Sequence, residues 1–158
     1  MTGWRLGYGA GPKMLIDAMT KIQSQSTSAA NTIAQNAAIK ALQLNEDYFI
    51  NIKKSLDKKR AIVTSSLNDL KSLDFNFSHG AFYLFPSIKH FLGKRIKGKK
   101  VIRDDTSFCR QLLSLKHVAL VPGSSFGSKD SIRISYALTE KDLRLGCKRI
   151  KDFCERLV

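Results

Sequence analysis

Two arginines are the residues of this sequence most able to bind an anionic ligand. Arg5 lies in a predicted strand among small residues, and Arg133 lies in the middle of the predicted strand Ile132-Arg-Ile-Ser-Tyr136. A guanidinium is costly to bury unless it is paired, and its planar donors can hold a phosphate or a carboxylate through two parallel hydrogen bonds. On this pattern alone, a solvent-facing arginine or a structural ion pair is the commoner case.

Other catalytic patterns are missing from the sequence or poorly formed. The glycines near the N-terminus miss the GxGxxG spacing, and no GxxxxGK[ST] loop for phosphate is present. His79, His90 and His117 lack the spacing of metal ligands, so no metal site is predicted. Ser124 and Ser125 have no evident base partner for nucleophilic catalysis.

The elements around Arg5 make up the first part of the chain. The residue pattern predicts a strand over 4–10, a helix from Pro12 to about Gln23, a polar loop over 23–28 and a second helix over about 33–42. One strand and two helices are too few to cover their own apolar faces. Residues 1–45 therefore indicate a piece of a larger α/β domain.

The elements around Arg133 follow a long amphipathic helix predicted over 46–70. Alternation around Phe75 and Phe77 and again over 81–85 predicts strands, and helical spacing returns over 106–115. The remaining predictions are a strand over 118–121, a turn at Pro122-Gly123, a strand over 131–136 and a last helix opened by a capping box, Thr139-Glu-Lys-Asp142. Residues from about 46 onward are thus predicted to form an α+β unit.

Several segments resemble one known family. Met1-Thr-Gly-Trp-Arg-Leu-Gly-Tyr8 closely resembles the segment that follows the Schiff-base lysine in class I (fold-type I) aminotransferases, which use pyridoxal 5'-phosphate. Further likenesses occur in the family's order, and the bacterial aspartate or aspartate/prephenate branch is the most similar. These segments are Gln23-Ser-Gln-Ser-Thr-Ser28, Ile33-Ala-Gln35, Gly80-Ala-Phe-Tyr-Leu-Phe-Pro86, Val118-Ala-Leu-Val-Pro-Gly-Ser-Ser-Phe-Gly127 and Ile132-Arg-Ile-Ser-Tyr-Ala137.

The resemblance implies an α/β fold divided into three parts. Residues 1–45 would be the C-terminal remnant of the large cofactor domain. Residues 46–70 would be the bridging helix, and residues 71–158 a complete small α+β domain, which moves to close the site in this family.

The resemblance also implies roles for individual residues. Arg5 would bind the phosphate of pyridoxal 5'-phosphate, Arg133 would hold the α-carboxylate of the substrate, and Gly80 would pass close to the substrate. Residues 23–28 would lie near the subunit interface of a homodimer. There the family's Asn-Pro is replaced by Ala29-Ala30, which weakens the expectation of that contact.

The resemblance further implies that the chain lacks its catalytic residue. The family's lysine precedes the Met-Thr-Gly-Trp-Arg segment, and here Met1 is the first residue. Lys13 and Lys21, in the following helix, are not expected to replace it. The aspartate that pairs with the pyridine nitrogen, the stacking ring and the arginine for the substrate side chain are also missing. We therefore expect a fragment that is inactive alone, from a parent enzyme that transfers an amino group between aspartate or a related amino acid and a 2-oxo acid.

Composition leaves two other functions open. The chain could be a half-protein that pairs with a separate N-terminal half or a full-length homologue, because residues 1–45 leave apolar faces uncovered. A net charge of +14 permits a basic nucleic-acid-binding module, but the lysines are scattered and not interleaved with aromatic residues. No apolar run or leader pattern predicts membrane contact, and three cysteines without paired spacing fit a cytoplasmic protein in which Cys147 and Cys154 fill the core.

Overall fold

A computed structural model describes residues 1–70, 72–75 and 80–158 of the chain. They form two compact units, Met1–Ile50 and Asn51–Val158. The strand position predicted for Phe77 and the reading of His79 fall outside the described residues. Among the described helices, none is long and apolar enough to cross a membrane.

The first unit begins with a short 3-10 helix, Thr2–Trp4, instead of a strand. The predicted strand over 4–10 is therefore wrong, since residues 6–10 belong to neither a helix nor a strand. Arg5 has a φ of 56°, in the left-handed region, which interrupts any extended run. A strand also needs a hydrogen-bonded neighbour, and no described segment pairs with these residues.

Helix α1, Lys13–Ser26, continues through much of the predicted polar loop. The hydroxyl of Ser24 donates to the carbonyl of Lys21 at 2.8 Å, and that of Ser26 donates to the carbonyl of Ile22 at 3.1 Å. Serine side chains that bond back to their own helix can be accommodated within it, so polarity alone did not mark its end. The helix stops before Ser28, which has a φ of 63°.

Two further helices complete the first unit and lead into the second. Helix α2, Thr32–Ala41, is confirmed, and the side chain of Asn31 caps it by accepting from the N–H of Ala34 at 3.1 Å. Helix α3, Glu46–Leu67, lies within the predicted span of 46–70. Its buried residues, Ile62, Val63 and Leu67, all lie near its C-terminal end.

A small antiparallel sheet organises the second unit. Its strands are β1 (Tyr83–Leu84), β2 (Val121–Pro122) and β3 (Ile132–Ser135), in the order β1-β3-β2. The strand predicted over 131–136 is confirmed. The one predicted over 118–121 is displaced, because Pro122 pairs with Ile132 instead of starting a turn. Proline is tolerated there because β2 is an edge strand.

Two capped helices contribute to the core of the second unit, and the first of them packs against β2. Helix α4, Asp105–Lys116, begins at a capping box in which Asp104 accepts from the N–H of Ser107 at 2.7 Å. Helix α5, Glu140–Cys154, begins after Thr139, whose hydroxyl accepts from the N–H of Asp142 at 3.2 Å, as predicted. The carboxylate of Asp142 accepts from that hydroxyl at 2.6 Å instead of reaching the backbone.

The hydrophobic core of the second unit draws on α3, α4, α5 and the sheet. Phe108 contacts Phe153 edge-on, with ring centroids 5.2 Å apart, and joins α4 to α5. Cys147 and Cys154 belong to this core, which confirms that they fill space. The largest fully buried side chains are those of Tyr136, Phe108, Phe153, Leu67, Leu84, Ile88, Ile102, Leu112, Ile132 and Ile150.

Candidate functional site

Arg133 lies on the outward face of β3. Strand residues alternate between faces, and Ile132 and Ile134 are both buried in the core. The side chain of Arg133 is therefore directed away from the core, and the residue is half-buried.

Two aromatic rings hold the guanidinium of Arg133. Its Cζ atom lies 5.2 Å from the ring centroid of Tyr83 and 4.8 Å from that of Phe126. Tyr83 is opposite Ser135 in the β1–β3 register, which makes Arg133 its diagonal neighbour on the same face. Neither ring contact could be read from the sequence around Arg133, because the rings come from other segments.

The guanidinium of Arg133 has no anionic partner within the described part of the chain. No carboxylate among residues 1–70, 72–75 and 80–158 forms an ion pair with it. Contact with the faces of aromatic rings stabilises the positive charge but uses none of the N–H donors. The N–H groups of Arg133 can therefore donate hydrogen bonds to the carboxylate of a ligand.

The position of Phe126 depends on a tight turn between β2 and β3. Residues Gly123–Phe126 form a 3-10 helix that ends at Gly127, with a φ of 85°. The N–H of Gly123 donates to the carbonyl of Ser131 at 2.8 Å, and the N–H of Ser124 donates to the carboxylate of Asp105. Asp105 is an element of this site that the sequence did not reveal, because its partner lies in a distant segment.

Gly80 lies just before β1, in the same unit as Arg133. It is exposed, and a Cβ atom placed on it would meet no atom of the described residues within 4 Å. The next residue, Ala81, has a φ of 60°, and its carbonyl accepts from the hydroxyl of Tyr136 at 3.0 Å. Burial raises the pKa of Tyr136, which keeps this hydroxyl protonated as a donor.

Arg5 lies in the first unit and is exposed, so the prediction that it sits in a strand where burial would be costly is wrong. Its guanidinium forms no ion pair with any described carboxylate, which leaves it able to hold a phosphate. Lys13, by contrast, pairs with Asp17 on the surface of α1. The first unit thus offers one exposed guanidinium to an anion such as a phosphate.

Other chemistry has little support in the described residues. They contain no group of three histidine, cysteine or acidic residues that could hold a metal ion. Burial raises the pKa of Cys109 and Cys154 to about 12 and that of Cys147 to about 11. These thiols are protonated at neutral pH and are poor nucleophiles.

Comparison with known proteins identifies the same family that the sequence motifs resemble. The pattern of the aminotransferase class I and II family matches residues 1–150. A probable aspartate/prephenate aminotransferase of Rhizobium leguminosarum bv. phaseoli is 46% identical over 154 residues, which are 98% of this chain and 38% of that protein. One from Rickettsia prowazekii is 43% identical over 157 residues, which are 99% of this chain and 39% of that protein.

Solved structures agree with the sequence relatives. The aspartate aminotransferase of Rhizobium meliloti superposes with a TM-score of 0.85 at 43% identity, covering 100% of this chain and 40% of that one. The aspartate aminotransferase of Thermotoga maritima gives a TM-score of 0.76 at 37% identity, covering 98% of this chain and 37% of that one. The chain thus spans about two fifths of its relatives and has part of their fold. It belongs to the class I and II aminotransferase family, which depends on pyridoxal 5'-phosphate.

Proposed function

We propose that this chain supplies the anion-binding and substrate-covering part of an aminotransferase and has no turnover alone. The parent reaction would move an amino group between aspartate, or a related amino acid, and a 2-oxo acid. The observation that carries the proposal is the guanidinium of Arg133, which lies between two rings and has no described carboxylate partner.

Arg133 is suited to bind the α-carboxylate of a substrate. The rings of Tyr83 and Phe126 restrict the guanidinium, so less side-chain entropy is lost when a ligand binds. Its N–H donors match the two oxygens of a carboxylate in a bidentate arrangement. In this proposal Arg133 orients the substrate, while Gly80 leaves space for it beside β1.

Arg5 would anchor the phosphate of pyridoxal 5'-phosphate. When bound, that cofactor supplies the electron-withdrawing ring on which amino transfer depends. The chain would contribute the phosphate contact but no lysine at the family's position, since Lys13 and Lys21 both lie on the exposed surface of α1. We therefore assign no catalytic residue to these 158 residues.

Carboxylate binding tests the role of Arg133. Succinate should bind the chain saturably in an NMR titration, with shifts around β1 and β3. Arg133→Gln should raise its Kd at least about tenfold, because a hydrogen bond to a charged group contributes about 1.5–3 kcal/mol. The control Arg156→Gln removes the same charge from an exposed position of the same unit and should change the Kd less than about twofold. Equal effects of the two changes would refute the role of Arg133.

Turnover tests the proposed inactivity. The purified chain, supplied with pyridoxal 5'-phosphate, aspartate and 2-oxoglutarate, should form no product above the rate with cofactor alone. Product formation accompanied by the absorption band of a lysine-bound cofactor would overturn this part of the proposal without affecting the assignment of Arg133.

A second candidate function is pairing with another polypeptide. In the first unit, large apolar side chains lie in solvent, among them Met14 at 85% and Ile22 at 71% exposure. Such surfaces mark interaction sites, and the relatives contain a further three fifths of chain. We propose a separate N-terminal half, a full-length homologue or a second copy as the partner.

Co-expression with the N-terminal part of a relative tests this second function. The two chains should co-purify, and Met14→Gln with Ile22→Gln should weaken the association. Lys13→Gln with Lys21→Gln, on the same helix, is the matched control. Failure of the two unmodified chains to associate would exclude the N-terminal half as the partner. Sedimentation of this chain alone would show whether the partner is a second copy.

A further inference from the structure

A basic hollow lies in the second unit, and its lining includes neither Arg133 nor the two rings beside it. It has a volume of ≈ 590 Å³, within the range of small-molecule sites. Its lining includes four cations, Lys99, Lys100, Arg103 and Arg110, and no carboxylate. Hereafter it is called the basic hollow.

The charges of the basic hollow are only partly offset by the described chain. None of its four cations forms an ion pair with a carboxylate among residues 1–70, 72–75 and 80–158. Their field extends to Asp104, whose pKa is lowered mainly by hydrogen bonds from Ser107 and further by Arg110 and Arg103. Like charges around a concave surface raise the local potential and concentrate anions there.

Hydrogen bonds fix the loop that carries these cations to α4. The side-chain amide of Gln111 donates to the carbonyl of Lys100 at 2.9 Å, and the N–H of Arg103 donates to the hydroxyl of Ser107 at 2.9 Å. The Oε1 atom of Gln111 is enclosed and has no hydrogen-bond donor in the described structure. Ser114 adds a hydroxyl to the lining.

We propose that the basic hollow binds a small, multiply charged oxyanion, such as the phosphate groups of a di- or triphosphate. Two guanidinium and two ammonium groups suit a ligand with several anionic oxygens, since arginine binds phosphate in a bidentate manner and lysine binds it as a point charge. No aromatic side chain lines the hollow to stack on bases, which argues against a single-stranded nucleic acid. This proposal does not rest on amino transfer.

The test uses inorganic tripolyphosphate with the full 158-residue chain. Calorimetry should show saturable one-to-one binding. Arg103→Gln with Arg110→Gln should raise the Kd at least about tenfold, because two charge-assisted contacts are lost. The control Lys53→Gln with Lys54→Gln removes two exposed charges from α3 and should raise the Kd less than about twofold. Circular dichroism verifies that each variant is folded. If the arginine variant unfolds, Lys99→Gln with Lys100→Gln replaces it in the same measurement.

Three results would overturn the proposal. One is the absence of saturable binding. Another is an equal loss of affinity in the variant and in the control on α3, which would mean that only the net charge attracts the anion. The third is displacement of tripolyphosphate by a short single-stranded oligonucleotide at a lower concentration of phosphate groups, which would identify a nucleic-acid surface.

Discussion

The carboxylate of Asp105 accepts a hydrogen bond from the backbone N–H of Ser124, a residue 19 positions later in the chain. Its other oxygen accepts from the N–H of Thr106 at 2.8 Å. Asp105 is only 2% exposed. These two hydrogen bonds therefore replace those that its carboxylate would make to water in the unfolded chain. Asp105 thereby joins the start of α4 to the turn that carries Phe126, one of the two rings beside Arg133.

Removing the Asp105 carboxylate should destabilise the second unit. Asp105→Ala leaves two N–H groups without their acceptor, and we expect a loss of about 2–4 kcal/mol in the free energy of unfolding. Urea denaturation followed by circular dichroism measures it. Asp130→Ala, at an exposed position of the same unit, should change this free energy by less than about 0.5 kcal/mol. Equal losses in both variants would contradict the structural role of Asp105.

Gly123 should not tolerate a side chain. A Cβ atom there would lie 2.5 Å from the backbone carbonyl oxygens of both Ser128 and Ser131. Gly123→Ala should therefore destabilise the unit by at least about 2 kcal/mol in urea denaturation. Gly146→Ala is the matched control, because a Cβ atom in this part of α5 meets nothing within 4 Å. It should stabilise the unit by about 0.5–1 kcal/mol. A Gly123→Ala variant as stable as the natural chain would contradict this prediction, because the backbone around Gly123 would then have room for a Cβ atom.

The three cysteines should resist alkylation in the folded chain. Burial raises their pKa to about 11 for Cys147 and about 12 for Cys109 and Cys154, so almost no thiolate exists at pH 8. We expect labelling by a thiol reagent to be at least about a hundredfold slower in buffer than in concentrated urea. One thiol that reacts in buffer at the rate seen in urea would contradict its burial.

The contribution of Asp104 to stability should depend on pH. Hydrogen bonds from Ser107 lower the pKa of its carboxyl below the ordinary value of 3.8. The stabilisation is therefore fully present above about pH 4 and is lost as the pH falls through the lowered pKa of the folded state. At pH 7, Asp104→Ala should reduce the free energy of unfolding by about 1 kcal/mol.

Acid titration of unfolding checks the sign of this effect. The difference between the natural chain and Asp104→Ala should shrink below pH 4. Asp104→Asn keeps a capping acceptor without the charge, so its difference from Asp104→Ala should stay constant with pH. A gap between the natural chain and Asp104→Ala that widens in acid would contradict the role of the ionised carboxyl.

Local signals were sufficient for the start of α5 and for β3. The Thr139 cap marked the start of α5, and the alternation of Ile132 and Ile134 marked β3, because both depend on residues close in sequence. The buried positions of Cys147 and Cys154 followed from helical spacing. Arg133 was recognisable as a candidate anion-binding residue only from its type and its place in a motif.

Features that depend on distant residues could not be predicted. The strand expected over 4–10 needs a neighbouring strand, which the described chain does not provide. Pro122 lies in β2 because of its pairing with Ile132. The rings beside Arg133 and the bond from Ser124 to Asp105 join separate segments, so no window of sequence contains both partners.

The uneven burial of the two units has a calorimetric consequence. Among the described side chains of Met1–Ile50, only Ala34 is buried, whereas the apolar core of Asn51–Val158 extends from Ile62 to Leu157. The heat capacity of unfolding follows the apolar surface that becomes hydrated. For this chain, we therefore expect the heat-absorption peak to report the melting of the second unit, with a heat-capacity increment of about 1.2–1.5 kcal/mol/K for roughly a hundred residues. Melting of the first unit should add only a shallow slope to the baseline.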